Sequence, residues 1–511
     1  MSRSVHSRST TVASRTETDH GQGFLFIPAT HLYPPQHLTE LGTKTILMVE
    51  DLTILSRRPY HQQKLALLLA AMRNYRKEIS QLGLHVNYHE LDENHTIRSG
   101  ILSCAASLGV DRFSTFAVTD HALRASLEQI AKDGNLTWLE FSDPGFIDPI
   151  ETFKPDLQGR ALRMDSYYKQ KRKRLNIMVD SGGKPDGGRW SFDADNRKKI
   201  NRKQSIPLAP KAAHDQQTLQ TIIQIQERFP ENPGCASDLW LPTDRAGAQQ
   251  WLETFVNERL RGFGTYEDAI SQRGWLLFHS GLSPLMNIGL VTPVQVLDAV
   301  MQESDVAIND QEGFVRQVLG WREFVRGVYM TKSGRGALQN KRVHTRSLTQ
   351  HWYNGTTGLP PLDDAIKTML HRGWNHHIER LMVFANIMNL CEINPQEVYD
   401  YFMTHHIDAY AWVMRPNVED MGLSSSTDTF ATKPYICGSN YLLKMSDYTK
   451  GPWCDVIDGL YWRFVSRNKA ELASNVRTVM ATKTLDRMNA ERKLKIGAAA
   501  DAFLERCTIP N

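Results

Sequence analysis

The sequence predicts an α/β N-terminal domain with a parallel, Rossmann-like sheet, followed by a large all-α domain. Strand-like and helical segments alternate over residues 22–150, which is typical of a parallel sheet. Residues 239–511 show a helical pattern, and a chain of 511 residues is too long for one ordinary core. Between the two domains, residues 151–238 form a basic linker, and residues 1–21 are predicted to be a disordered tail.

Short apolar runs bounded by turn residues mark the elements of the N-terminal domain. We predict strands at residues 23–29, 45–49, 86–90 and 115–119, and helices at residues 61–82, 101–108 and 122–133. Ligands of parallel sheets bind at the carboxyl ends of the strands. Glu50 and Asp51 lie at such an end, although a structural role in the loop after the strand is at least as good an interpretation.

The composition excludes several classes of protein. Hydrophobic residues make up 41% of the chain and charged residues 23%, which is typical of a globular protein, and no apolar run is long enough to span a bilayer. The six cysteines are scattered without close pairs. This spacing argues against a disulfide framework or a zinc ribbon and fits a reducing compartment such as the cytoplasm.

Residues 154–203 are rich in lysine and arginine, with aromatic side chains interleaved. Such a segment suits a nucleic acid, because cations release counterions from the backbone and rings stack on bases. A solvated charged linker explains the pattern equally well. The glycine-rich stretch at residues 180–188 is predicted to be a hinge. Our candidates for contacts with DNA are Arg172, Lys173, Lys184, Arg189 and Trp190.

Residues 373–390 combine a buried helical face with functional side chains. Apolar residues recur at helical spacing, and Asn375 is placed to cap the start of the helix. His376 and His377 would then lie in the first turn, with Arg380 one turn beyond. This group suits binding an anion or moving a proton, although paired histidines are more often structural. Because a helix start disfavours charged histidine, acid catalysis would need a nearby anion.

The rest of the C-terminal domain is predicted to be helical and large enough to enclose a sizeable ligand. The predicted helices are residues 246–260, 293–303, 311–329, 361–371, 376–390, 395–405 and 456–480. Residues 278–289 read Phe-His-Ser-Gly-Leu-Ser-Pro-Leu-Met-Asn-Ile-Gly. Ser280 and Ser283 can donate hydrogen bonds to phosphate oxygens, and Pro284 at a helix start leaves free amides that face an anion.

This last stretch resembles the Ser-x-Leu-Ser-Pro-x-Leu-x-x-Gly motif that holds the flavin diphosphate in photolyases and cryptochromes. Further motifs resemble the prokaryotic (6-4) photolyase group, the iron–sulfur bacterial cryptochromes and photolyases, and the match runs in order over residues 22–480. These motifs are Arg-Met-Asp-Ser-Tyr-Tyr at 163–168, Gly-Gly-Arg-Trp-Ser-Phe-Asp at 187–193, His-His-Ile-Glu-Arg-Leu-Met at 376–382 and Gly-Ser-Asn-Tyr-Leu-Leu-Lys-Met-Ser-Asp at 438–447.

The resemblance implies a cryptochrome/photolyase fold with a U-shaped FAD in the helical domain. It also implies a lyase that uses light to transfer an electron from reduced flavin to a (6-4) photoproduct in DNA. His376 and His377 match the pair that faces the lesion, one of them serving as proton donor, and Tyr441 matches a tyrosine on the same side. The flavin contacts implied are Tyr266, Ser280, Leu282, Ser283, Gln317, Arg322 and Arg380, with Asp408 as the partner of Arg380. We expect a monomer that acts on UV-damaged DNA of the nucleoid.

The chain departs from the group at its four-cysteine [4Fe–4S] cluster. Three of the ligand positions fall on Pro361, Thr449 and Pro452, and Cys454 is the one possible remnant. Cys391 and Cys437 lie elsewhere in the chain, and three thiolates in all without the family's spacing are weak support for a cluster. We therefore predict that no metal cluster is bound and that Trp453 fills the space by packing.

Two further departures concern the other redox and light-absorbing groups. Electron-relay positions that are tryptophan in the group are Tyr353 and Tyr401 here, and an expected tyrosine is Phe402. Because an oxidised tyrosine must also lose a proton, photoreduction should be slower or run through other residues, of which we name Trp352, Trp374 and Trp412. A Gly-Asp-Gln-Leu turn of the group is replaced at residues 28–35, which argues against the lumazine-type antenna that the resemblance implies.

Two functions therefore stand as hypotheses, and we favour a (6-4) photolyase because the histidine pair, Tyr441 and the basic linker are kept together. The alternative is a cryptochrome-like blue-light receptor that binds FAD without repair, which the altered relay and lost cluster favour. A relic with a structural role alone would predict decay of the flavin motifs, and these are intact. The sequence leaves open whether cyclobutane dimers are also repaired.

Overall fold

The computed structural model describes residues 23–157, 163–332 and 336–510. The tail predicted at residues 1–21 lies outside these ranges. Among the described helices, none has both the length and the apolar composition needed to cross a membrane.

The N-terminal domain is a five-stranded parallel sheet in the order β3-β2-β1-β4-β5. Its strands are β1 (Phe24–Phe26), β2 (Thr45–Val49), β3 (His85–His89), β4 (Arg112–Phe116) and β5 (Thr137–Phe141). Its helices are α1 (Gln36–Glu40), α2 (Leu52–Leu55), α3 (Gln62–Ser80), α4 (Ile97–Leu108) and α5 (His121–Asp133). The predicted parallel sheet is confirmed, with one more strand, β5, at its edge.

Glu50 and Asp51 at the end of β2 are used by the protein itself. Glu50 is buried and accepts hydrogen bonds from Arg73 Nε at 2.7 Å, Tyr88 Oη at 2.6 Å and the amide of Leu91 at 2.8 Å. Asp51 caps α2 and also accepts from the amide of Ile97. Because these oxygens already have donors, the structure supports the structural interpretation of both residues.

The turn of residues 28–35 packs against the helical domain. The amide of Leu32 donates to Ile288 O, and Arg245 donates to the carbonyls of Leu32 and Tyr33. The Tyr33 ring lies so close to Gly289 that a side chain there would overlap it, and Tyr33 Oη donates to Asp143 at 2.5 Å. This turn therefore serves as a contact between the two domains.

The segment predicted to be a linker is folded against both domains. It contains α6 (Ile150–Leu157), α7 (Met164–Leu175) and α8 (Gln216–Arg228), and α8 packs on α3. The glycine-rich stretch is not an open hinge but a closed turn, in which Val179 pairs with Pro185 and Asp180 accepts from the amides of Gly182 and Lys184.

The remaining chain is helical, as predicted, apart from a short antiparallel pair, β6 (Ser347–Leu348) and β7 (Thr508–Ile509). Its helices are α9 (Arg245–Glu258), α10 (Leu260–Phe263), α11 (Ser283–Ile288), α12 (Pro293–Gln302), α13 (Ile308–Val315), α14 (Glu323–Thr331), α15 (His351–Asn354), α16 (Pro360–Arg372), α17 (Asn386–Leu390), α18 (Pro395–His405), α19 (Ala411–Pro416), α20 (Ser439–Met445), α21 (Pro452–Arg467), α22 (Lys469–Ser474), α23 (Val479–Arg487) and α24 (Ala490–Cys507).

Three stretches of this domain are π-helical rather than α-helical. They are Arg316–Arg322, Glu379–Ala385 and Asn417–Gly422, and the first joins α13 to α14 in one continuous rod. Single π-helical turns inside α-helices occur frequently at functional sites. The sequence predicts ordinary α-helix over the first two stretches, so the structure differs from the prediction in the type of helix there.

The start of α3 fixes the N-terminal domain to the helical domain. The amide of His61 donates to Thr404 O, and Lys64 Nζ donates to Ala409 O at 2.5 Å. Lys64 is buried beneath the rings of Tyr60 and Tyr410, and burial lowers the pKa of its ammonium to about 7. This contact lies one residue from Asp408, which belongs to the site described next.

Candidate functional site

The helical domain contains a cavity of about 330 Å³, which lies within the ~300–1,000 Å³ range of ligand pockets. All three π-helical stretches contribute to its wall, together with the serine loop of residues 279–283. Aromatic side chains form much of the lining: Phe263, Phe314, Trp321, Trp374, Phe402 and Trp412. The cavity therefore combines flat apolar surfaces with polar groups held on wide helical turns.

The inner wall holds a closed ion-pair network. Arg380 donates to Asp408 from Nη1 at 2.8 Å and from Nη2 at 3.1 Å, and its Nε donates to Asn375 O at 2.8 Å. Ser283 Oγ donates to the same carboxylate at 2.6 Å, and the indole of Trp374 donates to Ser283 Oγ at 3.4 Å. The predicted pairing of Arg380 with Asp408 is confirmed, and both residues line the cavity.

Asn375 does not cap the helix, contrary to our expectation. The helix begins at His377, and the Asn375 amide donates instead to Ala365 O at 3.1 Å and to Glu379 Oε2 at 2.9 Å. Arg380 is nevertheless one turn from His376, since its amide donates to His376 O. The predicted histidines therefore stand at the start of the helix, as expected, but without the predicted cap.

Three histidines, rather than two, meet at the mouth of the cavity. His279 of the serine loop stacks on His376 with ring centroids 4.5 Å apart and planes at 10°, and lies 5.6 Å from the ring of His377. His376 is buried, and neither of its ring nitrogens has a hydrogen-bond partner. Sequence reasoning missed His279, although it precedes Ser280 directly in the motif already singled out.

The surroundings of these imidazoles lower their pKa values. Burial, followed by the charges of its histidine neighbours, holds the pKa of His279 well below its usual range. Burial, then His377 and Arg380, does the same for the pKa of His376. The side chain of His377 is 42% exposed; packing around the ring lowers its pKa and the carboxylate of Asp268 opposes that effect. Of the three, His377 is the one with access to both solvent and a nearby anion.

The anion that a charged histidine needs here is not Asp408. Asp408 is already paired with Arg380, whereas Glu267 Oε1 lies 3.8 Å from His377 Nε2. Glu267 is buried, accepts from Gln317 at 2.5 Å and from Arg316 at 3.2 Å, and burial raises the pKa of its carboxyl to about 7. The Arg380–Asp408 pair therefore does not supply this charge, and Glu267 with Asp268 takes that place.

The other predicted site residues divide into two groups. Gln317 and Arg322 line the cavity, and burial lowers the pKa of Arg322 to about 10. Tyr441 is half-buried beside Asp268 and is not among the residues that line the cavity, and burial, then the Asp268 charge, raises its pKa.

The cofactor contacts predicted for Tyr266 and Leu282 are not supported by the structure. Tyr266 stacks on Phe278, with ring centroids 5.0 Å apart, and its hydroxyl donates to Gln204 at 3.2 Å. Leu282 is fully buried in the hydrophobic core. Neither side chain is among those that line the cavity.

The predicted electron relay occupies another part of the wall. Phe402 lines the cavity, and the ring of Tyr401 behind it is 6.3 Å away. Tyr401 is buried, and its hydroxyl donates to Trp352 O at 2.8 Å. Tyr353 lies 5.5 Å from Tyr401 and borders a second, open depression at the surface. The order from the cavity outward is thus phenylalanine, tyrosine, tyrosine.

Among the five predicted DNA contacts, Arg172 is corrected. Its side chain is completely buried, and the guanidinium donates to the carbonyls of Ile177, Met178 and Trp190. A fully buried cation whose three nitrogens all donate inside the protein cannot reach a DNA backbone. It instead holds together the fold of the basic segment.

The four other candidates lie at or near the surface. Lys173 and Lys184 are exposed, and Trp190 is half-buried with Lys173 Nζ 5.4 Å from its ring. Arg189 is exposed but pairs with Asp195 at 2.5 Å. Their contacts with DNA stay predictions.

The region that matches the cluster-binding part of the family is packed with protein. Trp453 is buried, stacks edge-on with Tyr448 and donates to Thr449 O at 3.1 Å. Pro361 and Cys454 are buried at the starts of α16 and α21. Within the described ranges, no three His, Cys, Asp or Glu side chains stand close enough together to hold a metal ion.

Comparison with known proteins defines the class. The fold is that of photolyases and cryptochromes: a bacterial class III photolyase from Agrobacterium tumefaciens has a TM-score of 0.57 at 17% identity, covering 97% of this chain and all of that one. A cryptochrome from Synechocystis has a TM-score of 0.53 at 12% identity, covering 95% of this chain and 99% of its own.

Sequence comparison places the chain within that class. Residues 25–240 match the model of the deoxyribodipyrimidine photo-lyase-related proteins, and residues 314–440 match the FAD binding domain of DNA photolyase. A protein named (6-4) photolyase from Agrobacterium fabrum is 30% identical over 486 residues, which span 90% of this chain and 94% of that protein. The chain belongs to the deoxyribodipyrimidine photo-lyase-related family.

The residues of the cavity fit the FAD that this domain implies. Aromatic walls suit a flat isoalloxazine ring, and the Ser280, Ser283 and Asn287 side chains suit phosphate and ribose oxygens. Arg322 Nε is buried at this cavity without a hydrogen-bond partner. An unpaired buried polar atom is costly, so its position argues for a ligand that satisfies it.

Proposed function

We propose that the protein repairs (6-4) pyrimidine photoproducts in DNA by light-driven electron transfer from reduced FAD, with His377 as the proton donor. The observation that carries this proposal is the arrangement of the three histidines. His377 is exposed at the mouth of the flavin cavity, while neither ring nitrogen of His376 behind it makes a hydrogen bond in the protein, with Glu379 Oε1 3.8 Å from its Nε2. The ring nitrogens of this pair are available to bind a substrate and are not used to stabilise the fold.

Each side chain of the site then has a distinct task. On the inner wall, Ser283, Arg380 and Asp408 form a rigid network that orients the bound cofactor. Reduced FAD supplies the electron when it is excited by light. His377 gives a proton from Nε2 to the lesion, and Glu267, 3.8 Å away, stabilises the imidazolium before transfer.

The preference for the (6-4) lesion follows from the proton that its reversal requires. Reversal of a (6-4) photoproduct returns an oxygen or nitrogen function from one base to the other, and this step requires a proton. Opening of a cyclobutane ring requires an electron alone. A site that keeps an exposed imidazole beside two buried carboxyls is therefore better suited to the first reaction.

The test uses an oligonucleotide with a single (6-4) lesion. The purified protein is reduced chemically and illuminated, and restored pyrimidines are measured by chromatography. We expect repair in the wild type and its loss in His377→Ala, with an unchanged flavin spectrum, because removal of the proton donor leaves the cofactor site intact. A parallel substrate with a cyclobutane dimer measures lesion preference.

His371→Ala is the matched control, because His371 is an exposed histidine on α16 that pairs with Asp238 at 3.4 Å. It should repair at the wild-type rate. Absence of repair by wild-type protein with reduced flavin bound would end the proposal, and so would full repair by His377→Ala.

A cryptochrome-like photoreceptor is the second candidate. It is favoured by the relay, in which Phe402 stands next to the cavity where the family has an oxidisable ring. A receptor would bind FAD and respond to blue light without converting either lesion. The same illumination experiment therefore separates the two functions.

We also propose that the protein acts as a monomer on nucleoid DNA in the cytoplasm, without a lumazine-type antenna or an iron–sulfur cluster. The packing of Trp453 and the use of residues 28–35 as a domain contact support the last two statements. Iron analysis and extraction of the bound chromophores would test them, since one equivalent of lumazine or four equivalents of iron would contradict the proposal.

A further inference from the structure

A cluster of four tryptophans adjoins the flavin cavity on the side of the serine loop. The ring centroids of Trp374 and Trp275 are 5.8 Å apart, those of Trp240 and Trp275 are 4.7 Å apart, and those of Trp240 and Trp374 are 6.3 Å apart. Trp251 adjoins Trp240 at 5.4 Å. Of the four, Trp374 lines the cavity, and Trp275 is partly exposed to solvent.

We propose that Trp374 and Trp275 form the path by which electrons enter the flavin site from outside the protein. This inference rests on FAD binding in the proposed function but not on repair. It assigns to the tryptophan cluster the task that the family's relay positions, Tyr353 and Tyr401 here, no longer perform efficiently.

Each turn of this path would move one electron. The Trp374 indole would give one electron to the photoexcited isoalloxazine, oxidised in the first turn and one-electron-reduced in the second, and would take one electron from the Trp275 indole. Trp275 then loses its ring N–H proton to water. A small thiol in solution returns one electron and one proton to Trp275, and two such thiols end as a disulfide after two turns. The net result is reduction of the flavin site at the expense of thiol.

The geometry selects Trp275 as the outer end of this path. Trp240 is 1% exposed, and its indole N–H donates to Arg372 O at 2.9 Å, an acceptor that cannot take up a proton. Trp275 has solvent access, and the guanidinium of Arg372 lies 5.4 Å from its ring. A nearby cation disfavours a positively charged indole and so favours release of its proton.

Oxidation of Trp374, the inner end of the path, is not disfavoured by an unbalanced positive charge. The guanidinium of Arg380 lies 5.8 Å from the Trp374 ring, but the two hydrogen bonds to Asp408 balance its charge. An electron leaving Trp374 therefore meets a nearly neutral ion pair rather than an isolated cation.

The competing routes are obstructed. Phe402 stands between the cavity and Tyr401, and the Tyr401 hydroxyl donates to Trp352 O, which cannot accept the proton that an oxidised tyrosine must release. Trp412 lines the cavity, but the ring it meets edge-on is Phe146, which is not readily oxidised and so does not continue the path.

The experiment follows photoreduction of the FAD-loaded protein in the presence of a small thiol. Blue light is applied without oxygen, and loss of the oxidised flavin absorbance is recorded together with the electron paramagnetic resonance spectrum of the trapped radical. We expect a neutral tryptophan radical in the wild type. Trp275→Phe should lose this radical and the photoreduction, and it should retain flavin because Trp275 does not line the cavity.

Trp374→Phe should show the same loss, and Trp462→Phe serves as the matched control, since Trp462 lies on α21 with its ring 4.9 Å from Tyr461. Wild-type photoreduction in Trp275→Phe, or its loss in Tyr401→Phe instead, would overturn the inference. So would a wild-type protein that holds FAD and is not photoreduced.

Repair by chemically reduced protein separates this inference from the proposed function. If Trp275→Phe repairs normally after chemical reduction but is not photoreduced by light and thiol, both proposals hold. If photoreduction depends on Trp275 and no lesion is repaired, the proposed function fails and the electron path stands. If lesions are repaired and photoreduction does not depend on Trp275, the proposed function stands and the electron path fails.

Discussion

The inner wall of the cavity and its mouth contain similar polar side chains but satisfy them differently. On the inner wall, the Asp408 carboxylate accepts three hydrogen bonds, at 2.6, 2.8 and 3.1 Å, from Ser283 and Arg380. At the mouth, neither ring nitrogen of His376 makes a hydrogen bond, since Glu379 is 3.8 Å from its Nε2, and His377 is likewise 3.8 Å from Glu267, too far for a hydrogen bond.

We interpret this difference as that between a site for a permanently bound ligand and a site for a transiently bound one. A network that is complete before the cofactor arrives costs little to organise when it binds. Polar atoms left without partners cost about 1–3 kcal/mol each, a cost that a fold retains where a substrate is to supply the missing contact. We infer that the inner wall is built for the flavin and the mouth for the lesion.

Asp408→Asn should break the inner wall and have the largest effect on stability. The Arg380 guanidinium, 15% exposed, would lose its counter-charge, and such losses cost about 3–5 kcal/mol. The charge of Asp408 also opposes the lowering of the Lys64 pKa, so its removal further disfavours that buried ammonium. We expect a lower melting temperature and loss of bound flavin, measured by thermal unfolding and absorbance.

The control for this variant is Asp400→Asn, which makes the same change in the more exposed ion pair with Arg58. It should cost no more than about 1 kcal/mol. Equal losses in the two variants would show that Asp408 has no special place in the fold.

Glu267→Gln should change the pH dependence of stability at the mouth. Burial raises the pKa of Glu267 to about 7, whereas an unfolded glutamate titrates near ~4.3. Between these values the folded protein binds more protons than the unfolded chain, so the contribution of Glu267 to stability falls as pH rises, by on the order of 3 kcal/mol. The variant should lose less stability over this window, as measured by urea unfolding at several pH values.

Arg316 keeps partners in this variant, because Asp193 lies at 3.2 Å and Glu312 at 3.4 Å. Glu253→Gln, at an exposed position on α9, is the matched control and should follow the wild-type pH dependence. Identical slopes for wild type and Glu267→Gln would contradict the raised pKa of this carboxyl.

Elements with strong periodicity could be predicted from the sequence. β2 was predicted at its observed bounds, and α18 likewise, because Asn394 caps it and Pro395 starts it. β5 was missed because its side chains are mostly exposed or half-buried, so it lacks the buried run of β1, β2 and β4. β3, at the opposite edge, has no fully buried side chain either and was nevertheless predicted.

The parts of the site that lie on one segment of the chain could be predicted. The parts formed by segments that are distant in sequence could not. The histidine pair and Arg380 share one helix, so their spacing could be read directly. The stack of His279 on His376 joins residues nearly one hundred positions apart, which no local pattern reveals. The burial of Arg172 likewise depends on carbonyls that only the folded segment brings together.

The π-helical turns could not be predicted for a related reason. An α-helix and a π-helix place nearly the same residues on a buried face over one or two turns, so the hydrophobic pattern does not distinguish them. In Glu379–Ala385 the wider turn accompanies the contact of Arg380 with Asp408 within the inner wall of the cavity. The choice between the two helices is therefore made by tertiary contacts.

His279→Phe should have the smallest effect and gives the finest test of how the mouth works. Because His279 is held neutral and stacks at 4.5 Å on His376, we interpret it as a platform for that ring rather than a proton carrier. Phenylalanine keeps the stack, so stability should change by less than about 1.5 kcal/mol and repair by less than about tenfold. His279→Ala removes the platform and should lower repair further. If His279→Phe instead abolishes repair as His377→Ala is expected to do, the proton passes through all three histidines, and the mouth is a relay rather than a single donor on a fixed support.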